Sequence, residues 1–284
     1  MIMVRVRNGV LKVRGFIMSR IKILDDATAG QIAAGEVVDR PVSVVKELVE
    51  NSLDAGADRV VVEIRDGGRA GIKVIDNGCG MSQEELSLAF FRHATSKIAR
   101  AEDLYSLSSL GFRGEALPSI AAVSHLVMKT RMYDQTVGYS IEICGGEVLS
   151  QKPVGCAPGT IVYLTDLFYN VPARRKHLKT KGTEAGLIAA MMQKISLARP
   201  DVGFTLIHNN KTVFRAPGSG RLYDSVLAVY GAAVAGEMLE INAKQEDVCL
   251  EGFVGKSFLN RRTRHHLTII INGRYVRSKV LQQA

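Results

Sequence analysis

Apolar and polar positions repeat with two different periods along this chain, and the change of period marks its elements. From Pro41 to Gly56 the period is helical, with Val44, Val45, Leu48 and Leu53 forming one apolar stripe. Pro41 suits a first helical turn, where its missing N–H has no partner to lose, and Gly56 suits the stop just past the end. The other side of this helix is polar. Glu47 and Asn51 lie four residues apart, so they stack on one face a turn from each other. Glu50 and Asp54 make a second such pair, rotated about the axis. An acid above an amide on a half-apolar helix describes a solvated face as readily as a reactive one.

Elsewhere the pattern alternates. Residues 59–65 are a β-branched run and read as a strand, Asp66-Gly-Gly-Arg69 as a turn, and residues 72–75 as the returning strand, so the sheet is at least partly antiparallel. Residues 126–130, 138–143 and 160–164 read as further strands, and residues 204–207 and 212–214 as a hairpin across Asn209-Asn210. Helix is predicted over residues 81–97, where Ser82 and Glu85 form a capping box. It is predicted again over 183–197, with Ile188, Met191, Met192 and Ile195 as apolar core positions. The Ala-rich residues 24–40 also favour helix, with Gly35 as a break before the central one, and 118–123 are helix-like. Pro217-Gly-Ser-Gly220 is the strongest linker signal. The pattern describes helices with a sheet that is at least partly antiparallel, and the architecture expected, together with the resemblance given below, is an α/β two-layer sandwich, a mixed sheet with helices over one face, followed by a smaller, incomplete α/β domain. The expected division is an N-terminal extension over 1–20, a main domain over 21–217 and a second domain over 218–284. Residues before Met18 are basic and lack the apolar core and cleavage site of a signal peptide, and organised sequence begins just after it.

Composition narrows the function classes. A hydrophobic fraction of 46% over 284 residues supports a sizeable core, and no apolar run is long enough to span a membrane. A net charge of +9 favours an anionic partner, nucleotide or nucleic acid. Cys79, Cys144, Cys156 and Cys249 are scattered without a C-x-x-C pair, which argues against a zinc site or disulfide framework and fits a reducing compartment.

Three loops carry candidate chemistry. Asp76-Asn-Gly-Cys-Gly80 ends the first hairpin; its carboxylate can accept from the exocyclic amine of an adenine, and its glycines let backbone pass close to a flat ring. The same residues also make a plain strand-to-helix turn. In Arg92-His-Ala-Thr-Ser-Lys97, Thr95, Ser96 and Lys97 offer two hydroxyls and an ammonium to a phosphate edge, while His93 has no second ligand at metal spacing. Gly111-Phe-Arg-Gly-Glu-Ala-Leu117 feeds a helix-like segment, where free backbone N–H groups suit phosphate oxygens. It is neither a Walker A sequence nor G-x-G-x-x-G.

Taken in order, these motifs resemble those of the MutL family of DNA mismatch-repair proteins. That family sits within an ATPase superfamily shared with DNA gyrase, ninety-kilodalton heat-shock chaperones and histidine kinases. The resemblance runs from about residue 21 to the end. Besides the motifs above it is carried by Gln31-Ile-Ala-Ala-Gly-Glu-Val-Val38, Lys46-Glu-Leu-Val-Glu-Asn-Ser-Leu-Asp-Ala-Gly56 and Asp166-Leu-Phe-Tyr-Asn-Val-Pro-Ala-Arg-Arg-Lys176. It implies a Bergerat-type ATPase fold over 21–217, with ATP and Mg²⁺ as the bound groups. Glu47 is then the general base and Asn51 the Mg²⁺ ligand. Asp76 reads adenine with Gly80 beside the ring and Thr160 in support. Thr95, Ser96 and Lys97 brace the phosphates. Gly111, Phe112, Arg113, Gly114, Glu115, Ala116 and Leu117 close as a lid. Lys279 becomes a candidate second-domain lysine for the terminal phosphate, and Arg261, Arg262 and Arg264 candidates for DNA phosphates. The implied activity is slow ATP hydrolysis used as a conformational and dimerisation switch in mismatch repair. The implied partners are a MutS-type mismatch-recognition protein, duplex DNA and a second MutL-type subunit. The implied location is the cytoplasm or nucleoid of a bacterium, or the nucleus of a eukaryote. A non-catalytic DNA-binding scaffold with an idle pocket, or another ATPase of the superfamily, are the alternatives. Intact Glu47 and Asn51 speak against the first, and the Phe112-Arg-Gly-Glu-Ala116 and Pro172-Ala-Arg-Arg-Lys176 motifs against the second.

Overall fold

The computed structural model describes residues 30, 34, 35, 37–95, 111, 114–246, 248–259, 267–276, 278, 280 and 281. Its central helix, α1, runs Pro41–Asp54 with the proline in its first turn, and buries Val44, Val45, Leu48, Val49 and Leu53. Its last turn closes through Ala55 N–H to Asn51 C=O and Gly56 N–H to Leu53 C=O. The residues ahead of it differ from expectation. Gly35 is itself helical, Val38 N–H donates to Ala34 C=O, and the chain leaves the helix at Val38. Ala34 and Val38 are both fully buried, so apolar burial carries the helix past the glycine.

After α1 come β1 (Arg59–Arg65) and β2 (Gly71–Asp76), joined by a 3-10 turn over Asp66–Gly68. Next are α2 (Gln83–Leu88), α3 (Ala116–Ala122), β3 (His125–Arg131), β4 (Gly138–Cys144), β5 (Glu147–Val154) and β6 (Gly159–Thr165). Then follow α4 (Pro172–His177), α5 (Lys181–Ala198), β7 (Gly203–His208) and β8 (Lys211–Pro217). The eight strands form one sheet in the order β5-β4-β3-β6-β2-β1-β7-β8. Only the β1–β7 pair is parallel; the others are antiparallel, so the sheet is mixed. Burial alternates along β1, β3 and β6, as one covered face requires. That face (Val62, Val74, Met128, Val162, Phe204) shares one core with Leu48 of α1, Ile120 of α3 and Ile188 of α5.

α2 begins as expected, with Ser82 and Glu85 completing both bonds of the capping box. It stops at Leu88 rather than near Lys97. Only Leu86 of this helix is buried, and past Leu88 the chain runs through turns to a left-handed residue at His93 (φ 63°).

Beyond β8 lie α6 (Leu222–Tyr230), α7 (Ala232–Ala235), the hairpin β9 (Met238–Gln245) and β10 (Val248–Gly255), and the short hairpin β11 (Ile269–Ile271) and β12 (Arg274–Val276). A second apolar cluster holds this β-rich part together: Leu197, Val226 and Ala235, with Met238, Phe253 and Ile270 packed around them. Among the described residues no helix is long and apolar enough to cross a membrane.

Candidate active site

A cavity of about 890 Å³ opens between α1, the loop after β2, and Gly111 with residues 114–118, with Met128, Thr160 and Val162 of the sheet as its floor. Amphipathic α1 lays its apolar stripe on the sheet, so its polar face turns to this space. Glu47, Asn51, Asp76, Gly80, Thr95, Gly111, Gly114, Glu115, Ala116, Leu117 and Thr160 all line it. Of the remaining expected site residues, Ser96, Lys97, Phe112, Arg113, Lys279, Arg261, Arg262 and Arg264 lie outside the described residues.

At the α1 wall, Lys46 bridges two carboxylates, with Nζ 3.2 Å from Glu47 Oε1 and 2.8 Å from Glu50 Oε2. Burial pushes the Glu50 carboxyl above its usual range, against the pull of Lys46. Burial also draws the Lys46 ammonium down, but the Glu50 and Glu47 carboxylates outweigh it and hold its pKa above the ordinary value. Asp54, one turn beyond Glu50, accepts from the Gly111 N–H at 3.1 Å and so ties α1 to the start of the glycine-bearing segment.

At the floor, Asp76 is held from three sides. Its Oδ1 accepts from Gly78 N–H at 2.9 Å and Thr160 N–H at 3.2 Å, and its Oδ2 from the Ser52 hydroxyl at 2.8 Å. Burial pushes this carboxyl above the usual aspartate range, while the same three hydrogen bonds pull it back. The corner is a product of register. Asp76 of β2 stands opposite Thr160 of β6, and Thr160 stands opposite Thr130 of β3. Gly80 closes the corner with φ +70°, and a Cβ there would collide with the Arg131 carbonyl oxygen. Its requirement for glycine thus comes from the backbone of β3. Gly114 is similar: φ is +61° and a Cβ would collide with the Ala94 carbonyl oxygen.

Sequence reasoning missed Ser52, Thr130 and the bridging role of Lys46. Ser52 and Lys46 stand inside the central motif, but neither spacing nor periodicity distinguishes them from solvated neighbours. Thr130 is an inward position of an ordinary strand.

The fold and its cavity define a class: this chain carries an ATPase domain described as histidine kinase-, DNA gyrase B- and HSP90-like, whose family model matches residues 40–147. A second model, the C-terminal domain of DNA mismatch repair proteins, matches residues 226–284. The DNA mismatch repair protein MutL of Pelotomaculum thermopropionicum is 54% identical over 267 residues, which cover 94% of this chain and 44% of that protein. MutL of Desulforamulus reducens is 52% identical over 271 residues, 94% of this chain and 42% of that protein. The solved MutL ATPase domain of Aquifex aeolicus complexed with ADP is 32% identical, with 87% of each chain covered and a TM-score of 0.67. The chain belongs to the MutL family of DNA mismatch repair proteins, and it spans less than half the length of these curated relatives.

Proposed function

We propose that this chain binds ATP in the cavity, hydrolyses it slowly with Mg²⁺, and uses the nucleotide state as a conformational and dimerisation switch that couples mismatch recognition to later repair steps. The observation that carries this reading is one cavity with Glu47 and Asn51 a helical turn apart on its wall and a buried, three-fold hydrogen-bonded Asp76 on its floor. Glu47 takes the proton of the attacking water, with one carboxylate oxygen steadied by Lys46. The side-chain oxygen of Asn51 suits Mg²⁺, a hard cation that takes few protein ligands when phosphates and water supply the rest. Bound there, Mg²⁺ supplies charge neutralisation on the phosphates. Asp76 accepts from the adenine amine, with Thr160 and Gly80 framing the ring. Thr95, Ser96 and Lys97 brace the phosphate end, and residues 111–117 close over it.

Partners follow the family. A MutS-type protein delivers the mismatch signal, a second MutL-type subunit pairs with this one on ATP binding, and duplex DNA is met through its backbone. The net charge of +9 and the Arg261, Arg262, Arg264 stretch support contacts that are independent of sequence and weakened by salt. The reading is tested by Glu47→Ala. Hydrolysis is expected to vanish while adenylyl-imidodiphosphate still binds with Mg²⁺ in calorimetry; undiminished turnover refutes the base assignment.

A further inference from the structure

Thr130 is fully buried in β3 and does not line the cavity, yet its hydroxyl sits at the hub of the floor. Three groups surround its Oγ1: Met81 N–H at 2.9 Å, Gly159 C=O at 3.1 Å and Thr160 Oγ1 at 3.1 Å. With all three contacts made as hydrogen bonds, the proton count among them has one solution. The Met81 amide can only donate, so Thr130 accepts there. The Gly159 carbonyl has no proton, so Thr130 donates there, and a hydroxyl has one proton to give. In the third contact Thr130 must therefore accept, and the Thr160 hydroxyl must donate. Thr160 has then spent its proton inward and turns only lone pairs to the cavity. Its register neighbour Asp76, as a carboxylate, also only accepts.

We propose that Thr130 is a positioning residue for base selection: by taking the Thr160 proton it makes the Asp76–Thr160 corner acceptor-only, which admits an exocyclic amine and rejects an exocyclic carbonyl. The inference rests on the reading above that a purine base meets Asp76. It adds the reason for choosing a 6-amino purine over a 6-oxo purine. Opposite two acceptors, an exocyclic amine finds partners, whereas an exocyclic carbonyl sets its own lone pairs against theirs. Removing the Thr130 hydroxyl frees the Thr160 proton to turn outward, and the corner then offers a carbonyl one donor.

ADP and inosine diphosphate are the probes, since they differ only in the six-position and its adjacent ring proton. Calorimetry on the intact chain gives the ratio of their affinities. Thr130→Val is expected to narrow the preference for ADP by about tenfold, the loss of one hydrogen-bond discrimination, while Thr130→Ser keeps it. A merely structural role for Thr130 lowers both affinities together and leaves the ratio unchanged, and that result overturns the proposal. If Thr130→Val does not fold, Thr160→Val replaces it: removing that outward acceptor must also narrow the ratio, and an unchanged ratio is again fatal. The underlying reading is checked separately by Asp76→Asn. Wild-type ADP affinity and ratio in that variant would mean the base does not meet Asp76, whatever Thr130 does.

Discussion

Asp76 illustrates how a single residue can be held at the expense of stability. Its carboxyl keeps its proton more tightly in the fold than in the unfolded chain, because burial outweighs its three hydrogen bonds. A group with a raised folded pKa favours folding at low pH and penalises it once the pH passes that pKa. Asp76→Asn fits the same space. Its amide oxygen can keep the Gly78 and Thr160 N–H bonds, and its NH₂ can donate to Ser52 Oγ, whose own proton then goes to Leu48 C=O at 3.1 Å. The nucleotide-free variant is therefore expected to melt at or above the wild-type temperature at pH 8, the gap closing as the pH falls through the carboxylate range. Its ADP affinity should drop by about tenfold to a hundredfold, since a donor now faces the adenine amine. Thermal melts at several pH values read the first effect and calorimetry the second. A clear loss of apo stability at pH 8 would mean the charge itself holds the corner together.

Among the elements, α1 was legible because three independent signals agree on it: Pro41 at its start, Gly56 past its end and an apolar stripe between. The capping box likewise marked where α2 begins, but nothing local marked its end at Leu88, after which the chain runs through turns. β5 escaped altogether. It is an edge strand with exposed or half-exposed residues on both sides, so Glu147, Leu149 and Gln151 show no alternation to read. In the site, Asp76, Glu47 and Asn51 were visible as motif residues. Ser52 and Thr130 were not, because their partners stand 24 and 30 positions away; the packing of α1 beside the end of β2 brings Ser52 to Asp76, and the register of β3 on β6 brings Thr130 to Thr160. The Gly114 turn is part of the cavity wall. An alanine there would carry a side chain at φ +61° and press on the Ala94 carbonyl. Such strain costs about 1–3 kcal/mol, and it falls on the wall of the cavity rather than on the core. Gly114→Ala is expected to weaken adenylyl-imidodiphosphate binding by about tenfold or more with only a small change in apo melting temperature. Equal affinity would show that this turn does not contribute to the closed wall.

At the scale of the whole molecule, α5 connects the two apolar clusters. Ile188 and Met192 belong to the main core, Leu197 to the C-terminal cluster. Between them Lys194 reaches the last hairpin, its Nζ 3.1 Å from the Tyr275 hydroxyl and 4.4 Å from the centre of that ring. The helix that packs beside α1 thus also holds the hairpin β11–β12. Burial of Ile270 supplies the non-directional part of this attachment, and the Lys194–Tyr275 contact the directional part. Lysine over tyrosine at a partly solvated site contributes about 0.5–1 kcal/mol, enough to measure but too little to hold the hairpin alone. A double-mutant cycle with Lys194→Met and Tyr275→Leu, followed by urea denaturation, should return a coupling of that size. Tyr275→Phe, which keeps the ring and removes the hydroxyl, should retain part of it. Protease cleavage within residues 238–281 should rise in each single variant while the eight-stranded sheet stays intact. Additivity within about 0.3 kcal/mol would show that the Lys194–Tyr275 contact contributes nothing measurable to the attachment of the hairpin.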